Sequence, residues 1–148
     1  MKIVAEVFHL KNGIIRPALY CVGEEGKVVM SVTNTLLDIV SEMWWSQMQE
    51  LEALFQIAEK GLYVPDNPDL PDWSINDKNI WLSPPDVDRG YILISNENVQ
   101  NFSEEYGELQ LFSMGQFRAA FKFWMEFQEL CKLKGKENMV GEKVYGVL

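Results

Sequence analysis

Three aspartates, each directly after a proline, stand at intervals of three in Val64-Pro65-Asp66-Asn67-Pro68-Asp69-Leu70-Pro71-Asp72-Trp73. Prolines in that rhythm favour an extended, polyproline-like path, and three residues per turn would align Asp66, Asp69 and Asp72 along one edge. Asp77, Asp86 and Asp88 continue the acidic set. Carboxylates so placed suit three kinds of chemistry: ligation of a hard cation such as Ca²⁺, acid–base work by a facing pair, or display of negative charge to a basic partner. The EF-hand pattern is not met, because acids on alternate positions, a central glycine and a distal glutamate do not occur together. A carboxylate pair for catalysis stays open, since sequence does not say which acids face each other. Trp73, at the end of the run, is either a core anchor or an aromatic beside an acidic rim. Prolines in such a rim would lower the entropy lost on binding.

Other catalytic chemistry finds little material. His9 is the only histidine, so any Ser-His or Cys-His arrangement would depend on it. It falls at the end of an expected strand, with no nucleophile elbow in the chain. Cys21 and Cys131 lie far apart and in no metal or redox spacing, which reads as two reduced thiols in or near the core. Gly23-Glu24-Glu25-Gly26 has the wrong charge for a phosphate loop. No catalytic residue, metal site or cofactor is assigned, and a non-enzymatic protein is expected.

The charge is regional. The chain has 22 acidic and 13 basic residues, a formal charge of −9. From Gly61 to Gln110, ten acids face only Lys78 and Arg89, giving net −8. The remainder holds twelve acids and eleven bases, net −1. Such a field repels phosphate backbones, so a nucleic acid is disfavoured and a basic protein favoured. Glu6 interrupts the apolar N-terminus, no cleavage site follows, and no stretch reaches the roughly 20 apolar residues of a membrane span. No membrane partner and a cytoplasmic location are expected.

The elements that would carry these residues form one α+β domain over 1–148. Residues 3–8, 14–22 and 27–33 read as an antiparallel meander, with turns at Asn12-Gly13 and Gly23–Gly26. Apolar residues at helical spacing predict a long helix from about Thr35 to Lys60, capped by Thr33, Asn34 or Thr35 and ended by Gly61, with a bend or break near Ser41 or Ser46. Residues 79–82, 90–95 and 108–112 look like strands. Ser113 and Gln116 fit a capping box for a second helix ending at Gly135, whose stripe is Phe117, Phe121, Trp124, Phe127 and Cys131. A last strand is expected near 144–147. The fold is therefore an antiparallel sheet, from the N-terminal meander plus the central strands, packed against two long helices.

In the first helix Trp44 joins the buried stripe. Trp45, about 100° away, falls on a side with Ser41, Gln49 and Glu52 as flanking core or as a partly exposed anchor for a partner. The expected partner-binding set is Asp66, Asp69, Asp72, Trp73, Asp77, Asp86, Asp88 and Trp45.

In size, acidity, N-terminal meander, paired long helices and aromatic richness, the chain resembles the small acidic bacterial immunity proteins that neutralise polymorphic or contact-dependent toxins. The resemblance carries over no functional residue. It implies occlusion of a cognate basic toxin, often a nuclease, by an acidic surface. The alternative is a subunit or adaptor of another complex, or a homo-oligomer using the Trp45 side. After it comes a small carboxylate-based enzyme or ligand-binding domain.

Overall fold

A run of apolar residues interrupted only by Glu6 yields β1, Lys2–His9, which pairs antiparallel with β2, Ile15–Val22. The structure, a computed structural model, describes residues 1–97 and 109–148. Ile3, Ala5, Val7, Leu19 and Cys21 turn one face of this pair into the core. Both thiols, Cys21 and Cys131, are free and buried.

The third strand of the expected meander does not form. Val28 makes only an isolated bridge to Val22, and helix α1, Met30–Val32, starts where the strand was expected to run. The slot beside β2 is closed in another way: Cys21 N–H donates to the Thr33 hydroxyl, and Val29 N–H donates to the Cys21 carbonyl. The third position in the sheet is taken by β7, Lys143–Val147, on the far side of β1, giving the order β2-β1-β7.

The expected long first helix is broken, and none of its three proposed caps is used. After α1 come a π-helical turn, Thr33–Leu37, and α2, Asp38–Glu42. Thr33 and Thr35 hydroxyls bond back to the Val29 and Ser31 carbonyls, a pattern that loosens a regular ladder. Met43 and Trp44 are then extended, with ψ of 142° and 162°, before α3, Trp45–Glu59. The Gln47 side chain accepts the Trp44 N–H and so starts the new helix. The break falls between Ser41 and Ser46, turns Met43 into the core and leaves Trp44 74% exposed, not in the buried stripe.

The central strands form a sheet of their own, not an extension of the first. Strands β3 (Trp73–Ile75), β4 (Lys78–Leu82), β5 (Tyr91–Asn96) and β6 (Gln110–Ser113) pair antiparallel in the order β3-β4-β5-β6. Helix α4, Met114–Lys134, is the single long helix among the described residues. The Ser113–Gln116 capping box opens it, and Gly135, at φ 81°, ends it. Its buried face holds the expected stripe together with Met114 and Ala120. Phe55 of α3 meets Phe117 of α4 edge-on, with ring centroids 5.5 Å apart. Arg118 fastens the same two helices, bridging Glu52 with two hydrogen bonds of 2.8 and 2.9 Å, bonding Glu59, and lying over the Phe55 ring.

Candidate functional site

The loops before β3 and between β4 and β5 meet over the outer side of the second sheet. Between them lies a cleft of about 280 Å³ walled by Pro65 and Pro68 on one side and Pro84 and Pro85 on the other. Trp81, Leu93 and Leu109 also line it. Proline rings and an indole make a wall that loses little entropy when something packs on it.

Asp66 and Asp69 adjoin the first pair of prolines in the chain, Asp86 and Asp88 the second, and all four are exposed. Among the described residues no lysine or arginine lies within ion-pair distance of any of the four.

The two bases of this acidic segment are committed elsewhere. Lys78 is nearly buried, with a side-chain exposure of 6%, and its ammonium contacts Asp38, Glu42 and Asp77 at 2.8–3.1 Å. Burial alone would lower its pKa, but hydrogen bonds to Asp77, Glu42 and Asp38 outweigh that and hold Lys78 above the usual lysine range. Burial also keeps the Asp38 carboxyl above its ordinary range, against the pull of Lys78. The Arg89 guanidinium lies over Gly61 at the C-terminal end of α3, where a Cβ would come within 2.5 Å of it. That end of the helix carries partial negative charge, which favours a cation.

Three members of the expected set are not free, exposed acids of this kind, although Asp72 itself lines the cleft. Asp72 does not align with Asp66 and Asp69, because the loop does not follow a continuous polyproline path. The Asn67 side chain accepts the Asp69 N–H and its carbonyl accepts the Leu70 N–H, folding the chain back. Asp72 then turns inward, accepting the Tyr63 hydroxyl at 2.8 Å and the Leu82 N–H at 2.7 Å. It is the strut that holds one loop to β4. Asp77 belongs to the Lys78 cluster. Trp73 is 8% exposed and is a core anchor, not a rim aromatic. Of the acids in the segment, Glu104, Glu105 and Glu108 lie outside the described residues.

Trp45 stands apart, on the helical side of the molecule. It is 58% exposed and edge-on to Phe121 at 5.2 Å. A groove of about 480 Å³ runs between α3 and α4 on one side of the indole, floored by Met48, Ala53 and Phe121. A second hollow lies on its other side, against Met125. Sequence reasoning put Trp44 in the core and so missed it as a neighbouring exposed aromatic. The Gln47 signal three residues on was the available clue that a helix begins at this point. Trp81, Pro84 and Pro85 were likewise missed as the walls of a cleft; the run Ser83-Pro84-Pro85 was their signal.

No family model matches this chain, and neither a curated protein nor a solved structure matches it.

Proposed function

We propose that the protein is a non-enzymatic binding module whose proline-walled cleft and four-aspartate rim dock a basic protein, with occlusion of a cognate bacterial toxin as the particular role. The observation that carries this reading is the uncompensated charge of Asp66, Asp69, Asp86 and Asp88, exposed on the same two loops whose prolines wall a preformed apolar cleft. Lysine and arginine side chains suit such a place: the aliphatic stem packs on proline and Trp81 while the head meets carboxylate. Occlusion needs no catalytic group of its own, only a rigid surface that covers another protein's basic site. A growth assay tests the role. The protein encoded immediately upstream is induced alone, with this chain, and with a chain carrying D66K, D69K, D86K and D88K. Growth arrest relieved by the wild type but not by the reversed chain is the expected result. No arrest, or arrest that the wild type fails to relieve, removes the immunity role.

A second reading, a subunit or adaptor of another complex, is favoured by one observation. Trp44 and Trp45 are both more than half exposed, and Trp45 lines an apolar groove, which is uncommon for large aromatics not used in contact. Binding that survives the four reversals and is lost in Trp45→Ala would favour it.

A further inference from the structure

The two edges of the three-stranded sheet are finished differently. On β2 the outward positions are partly closed: Cys21 is bonded to Thr33 and Val29, and Pro17 has no N–H to offer. On β7 they are open. Leu148 N–H donates to the Met1 carbonyl, so alternation turns Gly146 and Val144 toward β1 and Lys143, Tyr145 and Val147 away from it. Tyr145 is 60% and Val147 81% exposed, and none of the described residues pairs with this edge. An uncovered strand edge is a template for another strand.

We propose that β7 pairs with β7 of a second copy of this chain, antiparallel about Tyr145, to form a continuous six-stranded sheet. The register is self-complementary. Tyr145 meets Tyr145 of the second copy as an aromatic cross-strand pair, and Lys143 meets Val147, so no like charges oppose each other. On the inner face Val144 stands against Gly146, a large residue against the position where Phe123 already fills the space of a side chain, its ring 2.8 Å from an added Cβ. Charges of both signs stand near the edge: Lys143 is in register with Glu6 on β1, and Lys134 pairs with Glu142 at 3.7 Å. In a protein of net charge −9, this is therefore a place where two copies can approach without strong repulsion. The contact is isologous, so it closes at two copies. It uses neither the acidic cleft nor Trp45.

Sedimentation and native mass spectrometry of the wild type and of Tyr145→Pro test it. Proline at 145 removes an outward N–H and the tyrosine ring but no N–H that bonds to β1. The wild type is expected to be dimeric at about 50 µM, as concentration-dependent association requires, and Tyr145→Pro monomeric with little change in melting. A wild type that stays monomeric to about 500 µM overturns the proposal. So does a Tyr145→Pro chain that is still dimeric. Should the proline chain fail to fold, amide exchange of the wild type decides: Tyr145 and Val147 amides must slow as concentration rises. Fast exchange there at every concentration overturns the proposal equally.

Discussion

Lys78 holds Asp38, Glu42 and Asp77 around one nearly buried ammonium and thereby fixes α2 to the start of β4, an inner strand of the second sheet. Removing it would leave three carboxylates crowded together with no counter-charge. Lys78→Met is therefore expected to lose about 3 kcal/mol in urea unfolding, far more than an exposed ion pair such as Lys27–Glu25 could contribute. The cluster also sets an alkaline limit. Unfolded lysine and tyrosine lose their protons near pH 10.4 and about pH 10 respectively. In the folded chain Lys78 keeps its proton longer, and so do Tyr20 and Tyr63, raised by burial and then by their hydrogen bonds to Glu6 and Asp72. Above about pH 10 the folded state binds more protons than the unfolded, so stability falls as pH rises. Melting temperature measured from pH 9 to 11 should drop, and drop less steeply in Tyr63→Phe. A flat profile would contradict these assignments. Little of this was legible in the sequence, because Asp38 and Glu42 lie about forty residues before the lysine they meet. Asp72 shows the same difficulty, since proline spacing alone did not reveal that the Asn67 turn would rotate it inward.

The apolar, β-branched strands bounded by turns, and the long helix with its capping box, could be read from the sequence because local pattern and tertiary packing agree there. The strand expected over 27–33 failed where they disagree: helix begins at Met30, and Thr33 takes the ladder position that the strand would have filled. The first long helix failed for a related reason. Apolar spacing continues through Trp44, but a straight helix would bury the indole and exclude Met43. The break does the reverse. The split into two sheets was also hidden, since pairing between strands far apart in the chain leaves no local signature. One prediction belongs at this scale. Gly146 on β7 lets the Phe123 ring of α4 lie against the strand, within 2.8 Å of where a Cβ would stand and beside Ile3. Gly146→Ala should cost about 2 kcal/mol by forcing ring and strand apart, read as a lower urea midpoint with an unchanged slope. Wild-type stability in that variant would mean that helix and strand shift freely.

Across the whole molecule the charge is sorted. The bases of the acidic segment make no ion pair with its four exposed aspartates: Lys78 is nearly buried among three other carboxylates, and Arg89 lies over Gly61 at the end of α3. The excess of acid in this segment was plain from sequence. Which acids remain free was not, because that depends on where each base is packed. No helix among the described residues is long and apolar enough to cross a membrane. Association driven by the rim should slow as salt rises, since exposed charges are screened beyond about 8 Å at physiological ionic strength. Amide chemical-shift mapping with a deca-arginine peptide tests the central claim most directly. Perturbations should gather at Trp81, Leu93 and the four aspartates, fade with salt and be absent after D66K, D69K, D86K and D88K. Perturbations centred instead on Glu24 and Glu25 or on the glutamates of α4, or unaltered by the four reversals, would contradict it.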